Sequence, residues 1–334
     1  MQDTSDDSTT ERNDDTEICE FCTLPIPKNS TNETDSNYCC SVCEEHAETE
    51  GELVPLKKSE YINTGIDAID SSLPQGFPRD SLIFISSEPG TRGKSVIVEG
   101  AWRRLEKGEK VLLLACSDPP KMLLKQFIAL EWNVFPYLEN GDLKIIDCYS
   151  EGDTSQDLDS SSNAWNSHID KCISSNKSVV SDPGQASQLK RKIDATLEYT
   201  KSNESISIFI DSITVMGSKM RDVTAYKFLK TMRSEYCKNR GFTIFANANY
   251  SGSGEEFPHE MEHIFDGIID LSLNPQIIPG ILIKEVRIRK IRAAMSVRDA
   301  KNFEIIEEDG MKLIKTENKR EDSIENEDAK LKMD

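Results

Sequence analysis

Short, unbroken apolar runs recur along the chain, separated by stretches with helical spacing. Leu82 to Ile85, Val111 to Cys116, Leu143 to Ile146, Ile206 to Ile210, Phe242 to Ala246 and Gly267 to Leu273 each read as a strand buried on both faces. Ile281 to Ile291 alternates instead, and predicts a strand with one polar side. Between these runs, Val96, Val98, Ala101, Trp102 and Leu105 return with the spacing of a helix. Lys121 to Trp132, with prolines just before it, Ser187 to Lys201 and Val223 to Asn239 predict further helices. Strands alternating with helices predict an α/β fold, a doubly wound, mostly parallel sheet flanked by helices, over residues 57–315.

Outside that span the pattern fades. Residues 1–17 are acidic and polar and predict disorder, 47–56 reads as a linker, and 316–334 as a charged, disordered tail. The 334-residue chain has a net charge of −19, and residues 1–52, with fifteen acids against Arg12 and Lys28, carry −13 of it. The acidity is therefore an N-terminal property. It argues against a general nucleic-acid-coating surface, but not against a local basic groove. No apolar run reaches the length of a membrane span and the N-terminus is unlike a signal peptide, so the expectation is a soluble, cytoplasmic protein.

Residues 18–46 hold Cys19, Cys22, Cys40 and Cys43 in the order C-x2-C-x17-C-x2-C. Paired C-x-x-C segments can each bend around one ion, so the spacing predicts a small tetrahedral Zn²⁺ module. Cys39 is a spare thiol and His46 an alternative ligand; a redox cluster or a remnant without metal are the other readings. The acidic surroundings favour a regulatory protein partner for this module over DNA.

The stretch from Ser81 to Leu105 carries the chemistry. A strand, a turn with Pro89, Gly90, Thr91 and Arg92, and then Gly93-Lys94-Ser95 opening a helix are the parts of a phosphate-binding loop. Backbone N–H groups and the helix N-terminus favour phosphate there. Lys94 would reach the β- and γ-phosphates of ATP, and the Ser95 hydroxyl would hold Mg²⁺. The pattern wants glycine where Glu88 stands, so Gly90 would make the tight turn, Arg92 would be an extra residue, and the Glu88 carboxylate would repel phosphate. A glycine-rich turn that binds nothing is the alternative. Asp211 closes an apolar strand at the edge where α/β sheets bind ligands.

Four segments together resemble the RecA superfamily, and within it the KaiC-like ATPases of archaea and bacteria. They are Thr64-Gly65-Ile66-Asp67-Ala68-Ile69-Asp70 with Gly76-Phe77-Pro78, the loop Pro89-Gly90-Thr91 with Gly93-Lys94-Ser95, Ile208-Phe209-Ile210-Asp211-Ser212, and Arg289-Lys290-Ile291-Arg292. The resemblance covers about residues 61–294. It implies a RecA-like P-loop fold, Asp211 as the Mg²⁺-linked carboxylate, and a homo-oligomer. In such an oligomer Lys290 and Arg292 would reach a neighbouring subunit's γ-phosphate. Residues two apart on a strand share a face, as that role requires. Where the family carries two adjacent glutamates, one orienting the attacking water, this chain has Ser117 and Asp118, and Ala293 replaces a glycine. Asp118 is then the remaining carboxylate for catalysis. The expected function is an ATP-binding, slowly hydrolysing protein acting as a nucleotide-dependent regulatory or assembly switch. A pseudo-ATPase scaffold and a DNA recombination or repair accessory are the alternatives. No helix-hairpin-helix element and no aromatic-and-basic single-strand groove points to DNA.

Overall fold

The computed structural model describes residues 19–20, 26, 37–38, 41, 43–45, 61–150, 164–174, 177–198, 205–220, 222–249, 259–278, 281–292, 294, 296–297 and 299–314. The chain divides into two units, residues 1–60 and 61–334. In the first, Cys19 and Cys43 are buried together with Ile26 and Tyr38 packed on them. The backbone N–H of Glu20 donates to the Asn37 carbonyl at 2.9 Å. Cys22, Cys39, Cys40 and His46 lie outside the described residues, as do residues 1–17, 47–56 and 316–334.

The second unit is built on one sheet. A short antiparallel pair, Tyr61–Ile62 (β1) with Phe77–Pro78 (β2), precedes it. Its strands are Leu82–Ser87 (β3), Lys110–Ala115 (β4), Leu143–Asp147 (β5), Lys177–Val179 (β6), Ile206–Ile210 (β7), Thr243–Asn249 (β8), Gly267–Ile278 (β9), Ile281–Ile291 (β10), Lys301–Ile306 (β11) and Gly310–Leu313 (β12). Their order across the sheet is β12-β11-β10-β9-β3-β8-β7-β4-β5-β6. From β9 to β6 all neighbours are parallel, whereas β10, β11 and β12 join antiparallel.

The unbroken apolar runs exist because both faces of the sheet are covered. Ile83 and Ile85 of β3, and Val111 and Leu113 of β4, face the layer formed by the helix Gly93–Glu106, the helix Pro120–Ala129 and the C-terminal hairpin. Leu82, Phe84, Leu112 and Leu114 face the opposite layer, where the helices Ala186–Leu197, Ile213–Lys219 and Asp222–Thr231 lie. Alternate residues thus enter different cores, which makes both faces of these strands mainly apolar.

Several boundaries differ from the sequence expectation. The helix expected over Ser187 to Lys201 spans Ala186–Leu197. The one expected to reach Asn239 changes at Met232 into a π-helical segment, Met232–Lys238. β8 runs on to Asn249 and β9 to Ile278. β9 extends through polar Ser272 and Asn274 because β10 pairs with it there, Glu285 opposite Ser272 and Ile283 opposite Asn274. Tertiary pairing overrides the weak strand propensity of those residues. The pattern also missed β6, the helices Phe135–Asn140 and Ala164–Ser174, and the β11–β12 hairpin. That hairpin docks on the helix Gly93–Glu106: buried Glu99 accepts the Met311 N–H at 2.7 Å, and Arg103 donates to the Asp309 carbonyl at 2.9 Å. The opening motif closes on itself, with Asp70 accepting from the Thr64 N–H and hydroxyl and from the Gly65 N–H. Among the described residues no helix is long and apolar enough to cross a membrane.

Candidate nucleotide site

The strands β3, β8 and β7 end side by side, and the segment leaving β3 rises over their C-terminal edge. Glu88 opens it. Its N–H donates to the Leu271 carbonyl, and its carboxylate accepts the Leu273 N–H at 2.8 Å. That contact holds the side chain towards β9, while Glu88 also lines the cleft described below. Thr91 closes the turn, its hydroxyl at 2.7 Å and its N–H at 3.1 Å both donating to the Glu88 carbonyl. Gly90 has φ +92° and Arg92 φ +66°, so the extra residue before Gly93 takes the left-handed conformation at the helix start. That conformation costs a non-glycine residue about 1–2 kcal/mol.

Gly93 begins the helix at a point of close approach. A Cβ there would lie 2.4 Å from Ser87 Oγ and 2.5 Å from Asn247 Oδ1, so no side chain fits. Most of the segment from Glu88 to Ser95, with Gln126 and Asn249 on the other walls, lines a cleft of about 500 Å³. Lys94 Nζ lies 2.7 Å from Asp118 Oδ2, both side chains about a third exposed at 29% and 31%. A smaller cavity of about 210 Å³, lined in part by Lys110, Lys144 and Ile206, opens beside the starts of β4, β5 and β7, and none of these site residues lines it.

Asp211 follows β7 and is fully buried. Its carboxylate accepts from the Cys116 N–H at 2.7 Å, the Ser117 N–H at 3.0 Å and the Ser117 hydroxyl at 2.7 Å. Burial raises its pKa above the usual carboxylate range, while the Ser117 hydroxyl, the two N–H groups and the nearby Lys94 charge pull it back. The oxygen donors Ser95 and Asp211 suit a hard divalent cation such as Mg²⁺. Ser117 does not stand in for the family's carboxylate; its hydroxyl is turned onto Asp211.

Lys290 and Arg292 are not in this cleft. Lys290 pairs with Ile268 and Ile291 with Gly267, level with Phe84 and Ile83 at the start of β3. The phosphate loop leaves the other end of β3, about 10–13 Å away at the usual rise per residue. A bulge between Ile288 and Lys290 interrupts the ladder, yet both cations converge on one turn, His259–Ile264. Lys290 Nζ donates to the Glu262 carbonyl at 2.9 Å, and Arg292 to the His263 carbonyl at 2.6 Å and to Asp266 at 3.4 Å. Arg289 turns to Glu262 and Asp270 instead. Partial burial and the neighbouring Arg292 charge lower the Lys290 pKa.

The sequence pattern missed Ser87, Gln126, Asn247 and Asn249. A signal was present in Ala246-Asn247-Ala248-Asn249, where small apolar and polar residues alternate with the strand period. Reading β8 as finished at Ala246 hid it.

A chain titled a KaiC-like protein, from the hyperthermophilic archaeon Pyrococcus horikoshii, has the same fold. It superposes with a TM-score of 0.55 at 19% identity, covering 76% of this chain and 99% of that one. The UPF0273 protein of Methanopyrus kandleri is 25% identical over 255 residues, 75% of this chain and 90% of its own length. A UPF0273 protein of Thermotoga maritima is 23% identical over 245 residues, 73% and 92% respectively. A family profile described as "ATPase: KaiC" matches residues 62–318, from the end of β1 to past β12, and the chain therefore belongs to the KaiC ATPase family.

Proposed function

We propose that this chain binds Mg²⁺–ATP in the cleft above β3, hydrolyses it slowly, and uses its nucleotide state as a regulatory or assembly switch. One observation carries the reading. Gly93 is seated without room for a side chain on Ser87 and Asn247, which presents Lys94 and Ser95 to the cleft, with buried Asp211 near enough to feel the Lys94 charge. Ser95 and Asp211 would hold Mg²⁺, which neutralises charge on the phosphate oxygens. Lys94 supplies the point charge for the terminal phosphates, supported by the N–H groups of the helix start. To do so it must leave Asp118. The carboxylate released by that exchange is then the group at hand to orient a water and take its proton. Pro89, Gly90, Thr91 and Arg92 shape the loop around the phosphates. Lys290 and Arg292, remote from their own chain's cleft, would act on the nucleotide of a neighbouring copy.

The pseudo-ATPase reading has one observation in its favour: Ser117 is bound to Asp211, so Asp118 is the sole carboxylate of the former pair. ATP titration of the purified chain with Mg²⁺, followed by phosphate release from the same sample, separates the two. Saturable binding with slow release supports the proposal, and saturable binding with no release under any condition supports the scaffold.

We also propose that Cys19, Cys22, Cys40 and Cys43 hold one Zn²⁺ in a module that docks a regulatory protein. The burial of Cys19 and Cys43 in one small cluster supports it, since two thiols 24 positions apart are brought together there. Thiolates suit this ion, and so short a segment gains its folding energy from it. Elemental analysis of chelator-free protein is expected to give one zinc per chain; a metal-free N-terminal unit that still resists proteolysis would count against it.

A further inference from the structure

A row of polar side chains crosses the sheet directly beneath the phosphate loop. Ser87, Asn247 and Asp211 each follow by two positions a residue of the same core face, namely Ile85, Phe245 and Phe209. Alternation along a strand places all three on the face that carries the helix Gly93–Glu106. Asn247 is the middle member. It lies opposite Ile85 on β3, and its predecessor Ala246 opposes Ile210 on β7, one position before Asp211.

Both ends of its amide are used. Nδ2 donates to the Asp211 carbonyl at 3.0 Å, and Oδ1 accepts from the Ser87 hydroxyl at 2.8 Å. The first contact fixes the orientation, because the reversed amide would set oxygen against oxygen. The Ser87 proton is less committed, with the Ala248 carbonyl at 3.1 Å and Asn249 Oδ1 at 3.0 Å also in reach. Asn247 is fully buried, where an amide is costly unless bonded and an apolar residue would pack as well. Above it sits Gly93, whose missing Cβ would lie 2.5 Å from Asn247 Oδ1. The helix start therefore rests on the same amide that grips the backbone of Asp211. Ser95 lies two residues into that helix.

We infer that Asn247 is a positioning residue that sets the separation between Ser95 and Asp211, and so couples Mg²⁺ to nucleotide binding. The inference rests on the proposed Mg²⁺–ATP reading of the cleft. Asn247 does not line the cleft, so its effect on the nucleotide is indirect, through the helix start that rests on it and the Asp211 backbone that it holds. The expected signature is specific. Phosphate contacts from Lys94 and the helix start persist without the amide, whereas the gain from the metal shrinks.

The test measures ATP dissociation constants for the full chain in Mg²⁺ and in EDTA, for the parent and for Asn247→Ala. One buried hydrogen bond is worth about fivefold in an equilibrium, so the ratio of the two constants should fall by about that factor. Affinity in EDTA should stay within about twofold. An unchanged ratio, or equal losses in Mg²⁺ and in EDTA, overturns the inference and leaves the proposed function standing. A parent that binds no ATP in either buffer overturns both. If Asn247→Ala does not fold, Ser87→Ala removes the amide's other anchor and reads the same ratio, expected to fall in the same direction.

Discussion

At the scale of single residues, Lys94 and Asp118 decide how the cleft behaves. Their ion pair at 2.7 Å is partly exposed, and such pairs are worth roughly 0.2–1 kcal/mol. On the proposed reading, nucleotide replaces it. Asp118→Asn should therefore tighten ATP binding, by up to about fivefold, while slowing phosphate release. Opposite changes in affinity and rate are the signature; unchanged affinity in a titration would show that the pair does not compete with phosphate. The elements that carry the site residues were legible in the sequence: the strand, glycine turn and helix around Lys94 and Ser95, and the apolar strand before Asp211. Glu88 was not legible in this way. Its partner, the Leu273 N–H, is 185 positions away on a strand whose length depends on β10, so the contact that holds the carboxylate towards β9 could not be read. Asn247 escaped for a related reason, since its meaning lies in the neighbours that pairing with β3 and β7 supplies.

At the scale of elements, the C-terminal hairpin and the phosphate-loop helix form one block joined through Glu99. That side chain is buried, and desolvation raises its pKa to about 7, against the opposing pull of the Met311 N–H, Arg103 and Lys312. In the unfolded chain the carboxyl titrates near the ordinary 4.5. Between these values the folded state holds a proton that the unfolded state has lost. Stability is thus fully present below about pH 4.5 and falls as pH rises towards and through 7, by on the order of 3 kcal/mol. Glu99→Gln, neutral throughout, should flatten that part of the profile. Urea unfolding at a series of pH values from 4.5 to 8 checks this, and a slope identical to the parent's would contradict it. Core strands such as Ile206–Ile210 were legible from unbroken apolar runs. The hairpin was not, because Lys301, Asn302 and Glu304 interrupt its apolar residues and only docking on the helix makes it a strand pair.

At the scale of the whole molecule, the cleft and the Lys290–Arg292 pair occupy opposite ends of β3. On the proposed reading, the pair of one copy would act on the nucleotide of another. Mixing Lys94→Ala with Arg292→Ala should then restore part of the phosphate release that each lacks alone, because one partner contributes an intact cleft and the other an intact cation pair. Strictly additive loss in an oligomer of proven size, or a parent that stays monomeric with ATP, would argue against a role in trans. Arg292 is 44% exposed and held by a carbonyl and the edge of Asp266, so in the proposed arrangement a neighbour's phosphate would meet it without unfolding anything.

The proposed function depends on phosphate binding at Lys94, and equilibrium titration of ATP against the parent and Lys94→Ala in Mg²⁺ tests that most directly. With the ammonium gone, the cleft retains the backbone donors but loses its point charge, and affinity should fall at least about tenfold, or about 1.4 kcal/mol. Equal affinity in the two proteins, or a parent that binds no ATP, would contradict it.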